Sequence, residues 1–241
     1  MATRIAKPAV TALADIKAKL SAEVENIQDQ ISKPSGNRIR TKGKVFTFPD
    51  GGVDEGPISL VVVDFVTRNK YYIGKYDENN PTPPECFAVG KTIKDLKPSP
   101  NSPDIQAKSC AECPLNQFGS DGKGKACKNT RMLAVLPPDE VSPTAELMTL
   151  EVSPTALKNF DAMANTVKKL YGMPLIGAVI DVEFNPTVDY PSLLFKNPEE
   201  NRNVEAHYNR REDAEVLLFS EPDFAPPTAP VAPTRARRAR A

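Results

Sequence analysis

The chain has no tryptophan and a single histidine, His207. Histidine-based catalysis would rest on that one ring, and no serine or cysteine is placed beside it as a nucleophile. HExxH, GxSxG and carboxylate-pair motifs are absent too, so the residues give no positive reason to expect an enzyme. No apolar run approaches the roughly 18–20 residues that span a bilayer. The start, MATRIAKPAV, is basic but lacks an apolar h-region and a small-residue cleavage site. The expectation is a cytoplasmic protein with no signal peptide and no membrane partner. Net charge is absent as well: 31 Lys plus Arg balance 31 Asp plus Glu. That excludes a uniformly basic protein of the histone kind and leaves local patches open. Glycine is scarce at 12 against 24 prolines, which implies long non-helical connections. Cysteine is missing everywhere except between positions 86 and 127.

What is present suffices for one sizeable domain with appendages or two small ones: 241 residues, 40% of them apolar. Residues 8–31 read as a helix that Pro8 opens and Lys33-Pro34-Ser35-Gly36 stops. Leu13, Ile16, Leu20, Val24, Ile27 and Ile31 give it one apolar stripe. The stripe suits packing on its own domain. Being narrow and near-heptad, it equally suits an arm, 1–34, that pairs with a second copy.

From residue 38 the period changes to two. Arg38, Arg40, Lys42 and Lys44 alternate through a strand-like segment and would share one face. Ile58–Thr67 is a β-branched run, and Arg68-Asn69 is placed to turn it into Lys70–Tyr76 as a hairpin. Residues 77–130 lose all periodicity and hold every cysteine. So long a structureless stretch inside a domain calls for an ordering force other than a hydrophobic core. Strand character returns at 131–136, 147–152, 176–184 and 190–195. Ser153-Pro154 opens a helix with Leu157, Phe160, Met163, Ala164, Val167 and Leu170 on its apolar face, ended by Gly172 and Pro174. Residues 197–211 are polar with room for a short helix. Residues 221–241 form a Pro/Ala/Arg-rich tail whose composition cannot bury a core, read as disordered. The expected fold is mainly β with flanking helices, of the α+β class. Its centre is an OB-like barrel over 35–220, with the cysteine segment 77–130 inserted.

Three constellations carry chemistry. The first is Cys86-x23-Cys110-x2-Cys113-x13-Cys127. A Cys-x-x-Cys turn presents two thiolates, Cys127 and Cys86 can complete a tetrahedral set, and four thiolates close the site to water. This points to a structural Zn²⁺ rather than a catalytic one. A redox Cys-x-x-Cys and four reduced thiols are the rivals. The redox reading wants a strand before the pair and a helix after it, whereas Pro114 follows here. The second is Gly119–Lys125, which matches G-x-x-x-x-G-K and then fails at Ala126, where a P-loop needs Ser or Thr. It reads better as a basic loop touching phosphate. The third is charge distribution. Lys33–Phe48, Arg68–Lys75 and Lys123–Arg131 are basic and free of acids. Aromatics accompany them: Phe46, Phe48, Tyr71, Tyr72, Tyr76 and Phe118. Cations for phosphate beside rings for bases is how single strands are held. The candidate contacts are Arg38, Arg40, Lys42, Lys44, Arg68, Lys70, Tyr72, Tyr76, Phe118, Lys123, Lys125, Lys128 and Arg131. His207 is expected at the surface.

Three segments carry a resemblance: Cys110–Ser120 (CAECPLNQFGS), Gly124–Arg131 (GKACKNTR) and Val152–Phe160 (VSPTALKNF). They resemble the single-stranded DNA-binding proteins of tailed bacteriophages, an OB-type barrel with a zinc-bearing insertion, over about residues 38–200. The resemblance implies zinc on Cys86, Cys110, Cys113 and Cys127. It implies single-stranded DNA as partner, DNA replication or recombination as setting, and the bacterial host cytoplasm as location. The alternative is a zinc-containing interaction adaptor that docks replication or recombination proteins. Where many such proteins end in acids that recruit partners, this chain ends in Arg235, Arg237, Arg238 and Arg240.

Overall fold

The computed structural model describes residues 36–74 and 82–221. The expected helix at 8–31, Tyr76 and the tail from 222 lie outside the described residues. The fold is mixed α/β, and the chain forms two compact units. The first comprises residues up to Phe65 together with Arg131–Ala214; the second comprises Val66–Thr130 and the residues from Glu215 onward.

The first unit holds a curled, half-barrel sheet of six strands in the order β1-β7-β6-β4-β8-β9. These are β1 (Arg38–Ile39), β4 (Ile58–Tyr71), β6 (Lys128–Leu136), β7 (Met148–Val152), β8 (Ala178–Phe184) and β9 (Leu193–Glu200). β4 and β6 contribute only their stretches up to Phe65 and from Arg131. β2 (Phe46–Thr47) and β3 (Val53–Asp54) pair separately. Alternation sets which face is buried: Ala178, Ile180, Val182 and Phe184 point inward along β8, while Val179, Asp181 and Glu183 are only partly buried.

Helix α1 (Leu157–Tyr171) covers the inner face with Phe160, Met163 and Val167, spaced three and four apart on one stripe. Phe160 meets the rings of Phe65 and Phe195 edge-on, at 5.1 and 5.4 Å between centroids. Removing a ring packed this way costs about 3–5 kcal/mol. Pro154–Ala156 makes a tight 3-10 turn before α1, and the Ser153 hydroxyl bonds Thr155 Oγ1 rather than capping the helix. Gly172, at φ 65°, ends α1 by donating its N–H to the Lys168 carbonyl.

Two expectations about the strands are corrected. The basic residues 38–44 do not share one strand face. β1 ends at Ile39, Arg40 bridges to Thr47, and Lys42–Lys44 is a turn with Gly43 at φ 69° and Lys44 at φ 60°. The reversal lets Phe46 enter the core and stack on Phe184 at 4.4 Å. Likewise Arg68-Asn69 is no turn: β4 runs unbroken through both, because each polar side chain has a partner inside the second unit.

The second unit contains β4 from Val66, β5 (Cys86–Gly90), the start of β6, and the end of α3 (Arg211–Phe219). β5, in the segment expected to lack structure, pairs antiparallel with β4 from Thr67↔Gly90 to Tyr71↔Cys86. Arg68 Nη2 donates to the Leu218 carbonyl at 2.6 Å, satisfying an acceptor at the end of α3. Glu221 accepts from Ser99 Oγ and Asn101 Nδ2, both at 2.6 Å. Among the described residues no helix is long and apolar enough to cross a membrane.

His207, expected at the surface, is fully buried in α2 (Val204–Tyr208) of the first unit. Nε2 lies 3.1 Å from the Glu140 carbonyl, so it carries the proton, and Nδ1 accepts from Asn201 Nδ2 at 3.0 Å. The same Asn201 amide donates to the Ile176 carbonyl, and its oxygen accepts the Asn203 N–H. Burial holds the imidazole below its ordinary value of 6.5, against the opposing pull of the carbonyls. The unfolded chain takes up a proton near pH 6.5 and the folded chain does so only lower. Stability is therefore undiminished above that pH and declines as pH falls toward the folded value. Urea midpoints at pH 7.5 and 5.5 should show this decline in the wild type and a smaller one in His207→Gln; an equal decline assigns it to other groups. Asn201→Ala should cost about 1–3 kcal/mol at neutral pH, the usual cost of stranding buried partners.

Candidate metal centre and nucleic-acid interface

All four cysteines fall in the second unit, each buried at 6–8% exposure, and none forms a disulfide. Cys86 opens β5. Cys110 and Cys113 flank a short loop that the 3-10 turn Pro114–Asn116 follows, and Cys127 directly precedes β6. Backbone bonds fix these positions: the Cys110 N–H donates to Leu96, and the Cys127 N–H to Leu115. The four side chains line one cavity of about 10 Å³, room for a single water-sized particle, together with Tyr71, Phe87, Leu115 and Asn116 among others.

The sulfurs act on one another. Burial, reinforced by Cys86 and Cys113, pushes the Cys110 thiol up to about 11, although a hydrogen bond from Asn69 pulls the other way. Burial, reinforced by the other three cysteines, pushes the Cys127 thiol up to about 12, with Lys125 opposing. Such thiols are protonated and poorly nucleophilic, which disfavours the redox reading. Among the described residues no three His, Cys, Asp or Glu side chains stand together as a ready-made metal site. The donor set itself, four soft sulfurs on buried residues that line one small cavity, is of the kind that holds Zn²⁺.

The segment from Gly119 to Lys125 is a tight hairpin. The Gly119 N–H donates to the Gly124 carbonyl and the Gly124 N–H to the Asp121 carbonyl, both at 2.9 Å. Ser120 Oγ accepts the Ala126 N–H at 3.0 Å and reaches the Leu115 and Gln117 carbonyls. These amides are spent inside the loop, so it is no phosphate cradle of the P-loop kind.

At this hairpin Phe118 is 82% exposed, and Lys125 Nζ stands 5.0 Å from its ring centroid. Nothing in apolar burial accounts for a ring so exposed in a braced loop. Lys123 is exposed, while Lys128 pairs with Asp121 at 3.2 Å. Tyr72 follows β4 and is 38% exposed, and Lys70 is half-buried in the same strand. These six residues all belong to the second unit.

Two candidates leave the surface. Arg68 and Arg131 are both buried: Arg68 is spent on the end of α3, and burial lowers the Arg131 pKa while Asp161 opposes. In the first unit Arg38 pairs with Glu151, Arg40 and Lys42 are exposed, and Lys44 donates to the Val188 carbonyl at 2.8 Å. The sequence reading missed Asn69, Asn116 and Asn129, which join the cysteine cluster to Lys125. Their only signal was polarity in a strand or between two cysteines.

No family model, curated protein or solved structure matches this chain.

Purified protein should carry about one zinc per chain. Because zinc must displace protons from thiols held high, loading should weaken as pH falls below neutral. Cys113→Ser should release the metal and expose residues 82–130 to protease. Metal-free protein whose 82–130 segment is equally protected would overturn this assignment.

Proposed function

We propose that this protein binds single-stranded DNA, without catalysis, through a stacking and phosphate-contacting surface on a zinc-stabilised cysteine module. The observation that carries the reading is Phe118, largely exposed on a braced hairpin with a lysine over its ring. A ring held in this way offers a π-face to any base, and the adjacent lysines supply cations for the backbone. Tyr72 is a second platform in the same unit, with Lys70, Lys123 and Lys128 as further cations. In the first unit Arg40 and Lys42 are exposed cations that suit additional phosphate contacts. The curled six-stranded sheet there suits an OB-like reading, the architecture implied by the phage resemblance. That resemblance supports replication or recombination as the setting.

Zinc on Cys86, Cys110, Cys113 and Cys127 would serve structure. Held by these four sulfurs, the metal would lock the loop that carries Phe118.

Fluorescence titration with a thymidine oligonucleotide at several salt concentrations tests the reading. Phe118→Ala or Tyr72→Ala should cost about 1–3 kcal/mol with little change in salt dependence. Lys123→Ala should instead reduce the slope of log affinity against log salt by roughly 0.7. Removal of residues 222–241 should lower that slope further if the terminal arginines reach phosphate. Absence of oligonucleotide binding by the wild type would sink the proposal and favour the adaptor.

A further inference from the structure

Phe118 offers one face of its ring to a ligand, not two. Over the other stands Lys125 Nζ, 5.0 Å from the ring centroid. The ammonium is tethered there: it donates to Asn129 Oδ1 at 3.1 Å and to Asn116 Oδ1 at 3.5 Å, and all three side chains are half-buried. The backbone that carries the ring is braced on both sides. Gln117 Nε2 donates to the Ala111 carbonyl and the Gly119 N–H to the Gly124 carbonyl, both at 2.9 Å, and Ser120 Oγ reaches the Leu115 carbonyl at 2.9 Å. Phe118 is still 82% exposed, so its remaining face is open to solvent.

A base sliding between ring and ammonium would need two stacking distances of roughly 3.4 Å each. The 5.0 Å present is too little. One base can therefore lie on Phe118, and none can lie behind it. Within a continuous strand this carries a cost. A base that lies on the ring keeps one neighbour on its outer face and must part from the other, whose place the ring has taken. A base at the end of a strand has a single neighbour and gives up no stacking. A ring open on both faces would not discriminate in this way, since it enters the stack and each of the separated bases regains a partner.

We infer that Phe118 and Lys125 form a terminus-selective subsite, which seats the last base of a DNA strand on the free face of Phe118 in preference to a base inside a continuous strand. The inference rests on the DNA-binding reading above and names the part of the strand that this site takes. Lys125 is the residue that sets the specificity, by covering a face of the ring rather than by meeting a phosphate. Lys123, exposed on the same hairpin, supplies a cation for the adjoining backbone. The selectivity scales with how strongly the strand stacks on itself, so it is greater for purines than for thymines.

The test uses the full-length protein and one deoxyadenosine strand in two forms, 5′-phosphorylated linear and closed into a circle by ligation. Both forms carry the same bases and phosphates, and only the circle lacks a terminus. Fluorescence anisotropy should show the wild type preferring the linear form by roughly tenfold, the worth of one stacking contact. The same pair of forms in thymidine should show a smaller preference. Phe118→Ala should lose affinity for the linear strand and bind the two forms equally. Lys125→Ala should reach equality from the other side, by gaining on the circle relative to the linear strand, since the lost charge weakens both alike. Circular dichroism checks the fold of each variant, and should Lys125→Ala be unfolded, the wild type and Phe118→Ala decide. Equal binding of the two forms by the wild type overturns the inference and leaves DNA binding intact. So does a linear preference that survives in either folded variant. Failure of the wild type to bind both forms removes the functional reading beneath it.

Discussion

Four buried cysteines in a unit whose described apolar core is small are the constraint on which the rest depends. The first unit closes its sheet over Phe46, Phe160, Leu133, Leu150 and many other apolar side chains. Among the described residues the second buries Val66, Phe87, Ala88, Leu96 and Leu218 beside its cysteines. Ordering each loop residue costs about 1–2 kcal/mol of backbone entropy, which so few apolar contacts cannot offset. Hydrogen bonds contribute only about 1 kcal/mol each after exchange with water. Bonds from the four sulfurs to the proposed zinc would be strong enough, and they would act where the chain is least regular. The cluster's position also explains the hairpin at Gly119–Lys125. Cys113 and Cys127 must converge, and the chain between them has no apolar face to bury, so it folds back on its own amides and leaves Phe118 outside.

Buried polar residues do related work along β4 and β6. Arg68 and Asn69 interrupt an apolar run in a way that reads as a turn, yet the strand continues because Arg68 Nη2 donates to the Leu218 carbonyl and Asn69 Oδ1 accepts from Asn129. Thr130 joins them by donating to the Arg68 carbonyl. In the first unit the same logic places His207 among Asn201 and the Glu140 carbonyl rather than in solvent. In both units a polar side chain in an apolar setting marks a specific partner distant in sequence.

That is why periodicity was a good guide to some parts of the fold and a poor one to others. β8 alternates and α1 repeats at three and four, so Ile180, Val182, Phe160 and Met163 declared their burial in the sequence. The cysteines declared their convergence by spacing alone. Arg68, Arg131 and His207 were misplaced because charge and polarity predict exposure only when no partner waits inside, and partners far along the chain are invisible to local pattern. The basic run 38–44 failed for a different reason. Period two is satisfied equally by a strand and by a strand that turns at glycine, and the burial of Phe46 decides for the turn. The hydrogen bonds from Asn129 to Asn69 and Asn116 left no trace, since local pattern carries no sign of partners so far along the chain.

Direction also governs how many of the lysines can serve a nucleic acid. With zinc in the proposed site, four thiolates around a dication would leave a cluster of about two negative charges, beside the surface proposed to meet a polyanion. Left alone, that charge would repel phosphate. Lys125 lies close enough to oppose the rise of the Cys127 thiol, and its ammonium is held by two amide oxygens. In the proposed site its first task would be to offset the cluster, with its second at the ring of Phe118. Lys128 is similarly engaged by Asp121 and the Lys125 carbonyl. The basic segment 123–131 thus divides by placement: Arg131 is buried, Lys125 is held by Asn116 and Asn129 beside Phe118, Lys128 braces the hairpin, and Lys123 is exposed. The number of phosphates neutralised there must be smaller than the number of cations in the segment. On the proposed reading, affinity on this unit would lean on stacking more than on charge, in keeping with a chain whose formal charges cancel.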